Sequence, residues 1–395
     1  MLFTNIFIII AVLISFLFFA LIPGFGAFWV RARWRRFRSR MLGASLLPSI
    51  EYSDLRKENK GASFRFMGTL DSIQDRNRIW IKGSSFSLAA DLEDVPVYIL
   101  PSLSMSAGFD GVLPDEQPQS VPWKQISSLP AGMPMFVAGC LRIENGLAVF
   151  HSVPSSPLLV VIYDGSEESL LKRAIWSGRQ KNEYWNQFTL ISIITGFFSL
   201  FFLAYLLLGN PSMRFAALVA LSLSLAPLAP LLPPGVVFLF LYRALWKKAR
   251  TLRAERDLQR LPIRYFESWG SLGAERLTTR LPDGELYTVI SGSRSKVDLC
   301  LEKGKYSGIR PEPLSIRPAD DNYYLFGAYP QEEGSVLKPV DPMVGLTMIH
   351  GDPEKNAERC SKRSMWYTVL SGLFLSLDIL PNLFLILAVF LLLFP

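Results

Sequence analysis

Asp378 is the ionisable side chain whose setting most demands a chemical explanation, because it lies within the apolar run from Trp366 to Phe394. A carboxylate taken out of water costs several kcal/mol unless it is protonated, paired or bound to a cation. Its neighbours give the first reading. Leu377-Asp378-Ile379-Leu380-Pro381-Asn382 carries Pro and Asn close together, which is turn chemistry and places the carboxyl near an interface where water reaches it. The second reading is functional: an ion or proton relay, or a pairing with a basic group on another helix or subunit.

Other reactive residues are few. Cys140, Cys300 and Cys360 are odd in number and far apart, so they build neither a disulfide framework nor a CxxC metal site. His151 and His350 are the two histidines, and neither has metal-ligand spacing. His151 reads as a structural histidine. Ser291-Gly-Ser-Arg-Ser295 lacks the GxxxxGK[ST] pattern and reads as a loop, and Asp320-Asp321-Asn322 lacks the alternating ligands of a calcium loop. No catalytic residue, metal ligand or cofactor site is expected, and the chain does not read as an enzyme.

The elements that would hold Asp378 are membrane spans. Leu2 to Gly24 is an apolar run of the length that crosses a bilayer, followed by six arginines between Arg31 and Arg40. Basic flanks stay on the cytoplasmic side, so the N-terminus is expected outside, as an uncleaved reverse anchor. Further apolar stretches run from Phe188 to Leu208, from Phe215 to about Tyr242, and from Trp366 to Phe394. Lys172, Arg173, Arg179 and Lys181 precede the second, Lys247, Lys248, Arg250 and Arg253 follow the third, and Lys362 and Arg363 precede the fourth. Four crossings put all of these clusters on one side. The third stretch holds Pro227, Pro230, Pro233 and Pro234. As one helix from Phe215 to Trp246 it would be about 48 Å long, so a broken span is expected. The fourth is either a kinked span or a re-entrant hairpin.

Half of the 395 residues are apolar and 19% are charged, the average of several spans and folded polar parts. The formal charge of +7 concentrates at span boundaries, so nucleic acid is not an expected partner.

Between Ser63 and Gly165 the pattern turns to short strands: Phe64–Gly68, Arg78–Lys82, Pro96–Leu100, Pro134–Ala138 continuing to Leu141–Ile143, Leu147–Phe150 and Pro157–Tyr163. Asn145-Gly146 between two apolar runs signals a hairpin. Ser102 to Gln119 reads as a loop, and a small barrel or sandwich is expected. The run Leu129-Pro-Ala-Gly-Met-Pro-Met-Phe-Val-Ala-Gly139, the Glu144-Asn145-Gly146 turn, the strand ending Val161-Ile-Tyr163, then Ser169-Leu-Leu-Lys-Arg173 and a span resemble the GIDE module. That module lies between two membrane helices in mitochondrial membrane-anchored ubiquitin ligases and in bacterial proteins without the ligase part. The resemblance covers Phe64 to Leu208 and implies a membrane-tethered β module of interaction type. It does not carry ligase activity, since a RING needs eight zinc ligands and the chain has three Cys and two His.

Glu167 to Gln187 reads as a linker helix with an apolar stripe through Leu170, Leu171, Ala174, Ile175 and Trp176. After Leu261-Pro262 a second β-rich segment is expected, with strands at Leu286–Ile290, Val297–Leu301, Tyr323–Gly327 and Val344–Ile349.

The expected fold is thus an α+β integral membrane protein with about four transmembrane helices and two small β-rich domains. The expected divisions are an anchor at 1–30, a basic linker at 31–62, the GIDE-like domain at 63–165, a linker helix at 166–187, a helical pair at 188–246, a second β-rich domain at 247–365 and a C-terminal span at 366–395. A bacterial inner or plasma membrane location is expected, with both soluble domains cytoplasmic. The lipid bilayer is one expected partner. Protein partners are the other, bound by a scaffold or accessory subunit through its β domains, with Trp80 and Trp123 as contact candidates. The alternative is a transporter or channel component that uses Asp378.

Overall fold

The computed structural model describes residues 2–53, 55, 61–74, 77–102, 116–126, 128–144, 146–179, 181–233, 235–267, 269, 276–306, 309–328 and 336–394. The chain opens with α1 (Leu2–Phe16), a π-helical segment Leu17–Leu21 and α2 (Ile22–Ala44). Eight strands follow: β1 (Ser63–Gln74), β2 (Arg78–Lys82), β3 (Ser87–Asp91), β4 (Pro96–Ile99), β5 (Gln119–Pro122), β6 (Pro134–Glu144), β7 (Leu147–His151) and β8 (Leu159–Ile162). Helices α3 (Glu167–Trp176), α4 (Thr189–Leu208) and α5 (Arg214–Ser224), a 3-10 segment Ala226–Leu231 and α6 (Gly235–Arg260) come next. Strands β9 (Arg276–Arg280) and β10 (Leu286–Gly292), helix α7 (Arg294–Lys303), strands β11 (Tyr323–Ala328) and β12 (Thr347–His350), and helix α8 (Pro353–Leu393) complete it. The fold is α+β.

Two compact units divide the chain. The first holds 1–36, 182–250 and 363–395, and the second holds 37–181 and 251–362.

The first unit is helical. Three helices, Phe3–Ala44, Thr189–Leu208 and Pro353–Leu393, are long and apolar enough to cross a bilayer, and only 11–28% of their most apolar windows is buried inside the molecule. Their outward faces carry Phe, Ile and Leu, among them Ile191 at 69% and Phe384 at 72% exposure. The expected third span is divided between α5 and the start of α6 by the proline-rich segment, because prolines at 227, 230 and 233 withhold amide donors that would join the two into one helix. The π-helical segment has a related cause. Pro23 has no N–H for the carbonyl of Phe19, and that oxygen accepts from the Tyr184 hydroxyl at 2.6 Å instead. Ser192 donates to the neighbouring Phe18 carbonyl at 2.5 Å.

The hairpin reading of the last apolar stretch is corrected. Helix α8 runs unbroken through Pro381, and Asn382 spends its amide on another element rather than on a local turn.

The second unit joins a barrel to a smaller sheet. Strands β1-β2-β3-β7-β6 close on β1 through the β1–β6 pairing, with β3 and β7 parallel and the other four pairs antiparallel. Five strands closed in this order have the topology of an OB-type barrel. Phe64, Phe66, Ile79, Ile81, Val137 and Phe150 lie in its core. Strands β8, β4 and β5 extend the sheet from β6. Glu144 faces Leu147 across the expected two-residue turn, and Gly146 has φ of +80°; Asn145 lies outside the described residues, as does most of the expected Ser102–Gln119 loop.

Strands β9 to β12 form a four-stranded antiparallel sheet. The expected strand at Val297–Leu301 is instead the middle of α7. Val297, Cys300 and Leu301 are all buried, and that spacing is one face of a helix, which the shorter window had disguised. The two β-rich segments meet within this unit at Arg65 of β1, which is 2% exposed. Its guanidinium binds both oxygens of Asp341, reaches Asp283 at 3.4 Å, and donates from Nε to the Leu47 carbonyl at 2.6 Å.

Candidate functional site

The site in the helical unit forms where α8 crosses the proline break. Pro233 cannot donate to the carbonyl of Ala229, four residues earlier, so that acceptor is left to other donors. Asn382 supplies one: its Nδ2 donates to Ala229 O at 2.8 Å and to Leu232 O at 3.0 Å. Leu232 N also turns back to Ala229 O at 3.1 Å, which tightens the segment into its 3-10 form.

Asp378 stands one helical turn before Asn382 on the same face of α8. It is 0% exposed, and so is Asn382. Both carboxyl oxygens of Asp378 and the Oδ1 of Asn382 are buried without a hydrogen-bond partner. Three buried acceptors on this face of α8 therefore receive no hydrogen bond.

Gly235, the first residue of α6, makes this approach feasible. A Cβ there would lie 2.4 Å from Asp378 Oδ1 and 2.2 Å from Asn382 Nδ2, so both side-chain ends would have to shift to admit it. The absent side chain is the space the two polar groups occupy. The positive end of α6 faces the carboxyl from the same place.

This geometry bears on the chemistry open to Asp378. Its backbone is helical, which excludes the turn reading, and its burial keeps water from the side chain. Among the described residues it makes no ion pair, and at 0% exposure it is out of reach of a basic group on a separate subunit.

A second polar level lies farther along the same helices. Glu183, which precedes α4, binds Arg31 of α2 at 3.3 Å and also pairs with Arg250 of α6. Ser364 of α8 donates to Ala249 O of α6 at 3.0 Å. The basic flanks of four chain segments are thus tied at one height. Asp378 stands fourteen residues along α8 from Ser364, and Gly235 fifteen residues along α6 from Arg250, so both sit roughly 21–23 Å from that height by the helical rise.

The remaining sequence candidates each have local contacts of their own. His151 lies 3.0 Å from Glu144 and 3.9 Å from Asp91 on the barrel, opposite Cys140 in the β6–β7 register. His350 stacks on Tyr323 with ring centroids 4.2 Å apart. The three cysteines are buried and unbonded to one another. Trp123 is core at 3% exposure, while Trp80 donates to Gln74 at 2.9 Å. Ser291 and Gly292 end β10, and Arg294 begins α7, whose first turn pairs Arg294 with Asp298 at 2.9 Å. Among the described residues no group of three His, Cys, Asp or Glu converges as a metal site would require.

Sequence reasoning singled out Asp378 but not its partners. Asn382 reads in the sequence as turn chemistry, and Gly235 is not among the residues the sequence singles out. The signal that could have linked them is the pairing of an i, i+4 Asp–Asn face with a prolyl break that must leave carbonyls free. No protein-family model matches the chain, and neither a curated protein nor a solved structure is significantly similar to it.

Proposed function

We propose that this chain is a multi-pass membrane protein and a transporter or channel component, in which Asp378 is the intramembrane group that binds the transported ion. The observation that carries this reading is a fully buried carboxyl without a partner, set against a discontinuous helix. Ionisable groups deep in a span face functional pathways, and half-helix ends with unwound carbonyls are where transporters hold their ions.

Membrane embedding is supported by the apolar outward faces of the three long helices and by the aromatic residues beside the polar level. Trp29, Trp185 and Trp366 are 61%, 62% and 62% exposed, and each stands two residues from Arg31, Glu183 or Ser364. Exposed tryptophans at one height are the mark of a headgroup boundary. In this reading four crossings are made, by α1 with α2, by α4, by α5 with α6, and by α8, with the β-bearing unit on the cytoplasmic side of a cell membrane. The test is cation flux through the purified protein in lipid vesicles. Flux that falls to the protein-free leak in Asp378→Asn supports the reading, and flux equal in both proteins removes it.

A second reading concerns the β-bearing unit. The segment that resembles the GIDE module folds as a closed barrel with a continuous core, which supports a docking role for protein partners in a membrane complex. Cross-linking in the native membrane followed by purification tests it: a partner recovered in near-equal amount supports docking, and recovery of the chain alone counts against it.

A further inference from the structure

We infer that the ion held at Asp378 is a proton, and that its binding and release govern the Asn382 clamp on the broken span. This rests on the reading of Asp378 as the ion-binding group and names the ion.

The donor count decides between a proton and a metal cation. Five oxygens lie around the break: two of Asp378, Oδ1 of Asn382, and the carbonyls of Ala229 and Leu232. The last two already accept from Asn382 Nδ2, so a cation would find three free ligands. Hard cations gather about six or more oxygens, several of them water, whereas here Gly235 closes on the carboxyl and Asp378, Asn382 and Ala229 are each 0% exposed. A proton needs no coordination shell. Bound to the Asp378 carboxyl, it creates the single O–H donor that a cluster of three acceptors lacks.

No neighbouring charge competes for this role. Residues 215 to 241, which include α5 after Arg214, the break and the first turns of α6, contain no ionisable side chain, and Tyr242 and Arg243 are the first to follow. On α8 the run from Thr368 to Phe394 contains Asp378 alone. Of the other helices, α1 has no ionisable side chain and α4 has only Tyr205, which is 68% exposed on the outer face.

Coupling follows from the shared face. When the carboxyl loses its proton, the charge is compensated most directly by nearby N–H groups, namely the Asn382 amide and the first amides of α6. Recruiting the Asn382 amide takes it from Ala229 and Leu232. The carbonyls of the 3-10 segment then lose their side-chain donor, and the break is free to rearrange.

The experiment uses the full chain in phosphatidylcholine–phosphatidylglycerol vesicles, with an imposed membrane potential, internal pH read by a trapped dye and sodium and potassium by isotope uptake. Difference infrared spectra of the same samples at neutral pH read the protonated-carboxyl C=O stretch. The expected result is proton flux reduced at least tenfold in Asp378→Asn, partly restored in Asp378→Glu, no alkali-cation flux above leak, and a protonated-carboxyl band lost in Asp378→Asn. Sodium or potassium flux that depends on Asp378 while proton flux does not would overturn the inference and leave the transporter reading standing. Absence of both Asp378-dependent flux and the Asp378 carboxyl band overturns both. Because Asn supplies two N–H donors to the same acceptors, Asp378→Asn should keep its melting temperature at or above the wild-type value, so loss of flux is separable from loss of fold.

Discussion

Asn382 of α8 donates to the main-chain carbonyl of Ala229 across 2.8 Å, a contact between residues 153 positions apart that holds a proline-broken segment in a defined shape. Asn382→Leu removes the amide that two carbonyls accept. In an apolar surrounding the expected loss is about 1–3 kcal/mol, read as a lower melting temperature of the detergent-solubilised protein. A melting temperature unchanged from wild type would show that the clamp contributes nothing to stability.

Gly235 and Gly372 separate close packing from helix propensity. Gly235→Ala inserts a methyl 2.2 Å from Asn382 Nδ2 and 2.4 Å from Asp378 Oδ1. Both groups must move, so lower stability and lost flux are expected together. Gly372 of α8 has nothing within 4 Å of its Cβ position. Gly372→Ala should be neutral or stabilising by up to about 1 kcal/mol, the helix preference of Ala over Gly. Parallel thermal melts of the two variants check the contrast, and equal effects would argue against the crowding at Gly235.

How far the sequence reveals this arrangement depends on the range of the interaction. The apolar runs, their basic flanks and the prolyl break are local and were legible. The hairpin at Glu144 and Leu147 was legible too, because turn chemistry acts over two residues. The three-dimensional role of Asp378 was not: Pro381 and Asn382 follow local turn grammar, and only a segment some 150 residues earlier in the chain gives the amide a better use. Arg65 was unreadable for the same reason, since its partner Asp341 is 276 positions away. Strand β3, Ser87-Leu-Ala-Ala-Asp91, has little β propensity and is a strand because β2 and β7 flank it.

Arg65 and Asp341 test the union of barrel and sheet. Both are buried, at 2% and 8% exposure, so truncating Arg65 leaves the Asp341 carboxylate without its cation, with the Met343 amide at 2.9 Å still donating to it. Arg65→Ala is expected to cost about 3–5 kcal/mol. Arg65→Met with Asp341→Leu should recover much of that, because a buried pair replaced by apolar groups leaves no orphan charge. Thermal denaturation of the two variants decides it, and a double variant no better than Arg65→Ala would refute the pairing account.

Two carboxyls on the part of α6 within the β-bearing unit should give opposite pH dependence. Burial pushes the Glu255 carboxyl up, opposed by donation from Ser315. The native state then holds a proton that the unfolded chain has lost, so this contribution is present below the ordinary Glu value and is lost as pH rises through the raised one. For Asp257, burial also acts upward, but Arg179 and Arg256 outweigh it and hold the carboxyl below its ordinary value. Its contribution is present above the ordinary Asp value and is lost as pH falls through the lowered one. Denaturation across pH should therefore show Glu255→Gln gaining on wild type toward neutrality. Asp257→Asn should lose its deficit only in acid.

The sidedness of the chain can be read with an impermeant maleimide, because Cys140, Cys300 and Cys360 are all buried and leave a quiet background. Thr4 at the start of α1 lies against the turn before α5, with its hydroxyl 3.4 Å from Ser212 O. That end of the helical unit is opposite the Arg31–Glu183–Arg250 level by the length of α4, about 30 Å. If the basic level is cytoplasmic, a cysteine at exposed Ser212 labels in intact cells. One at exposed Lys355, just before the basic flank of α8, labels only after lysis. Labelling of Lys355→Cys from outside, with Ser212→Cys protected, would invert the orientation and put the β-bearing unit on the outer face. The charge asymmetry would then have failed as a guide, since six arginines after the first span would have crossed the membrane against the tendency that normally holds such clusters inside.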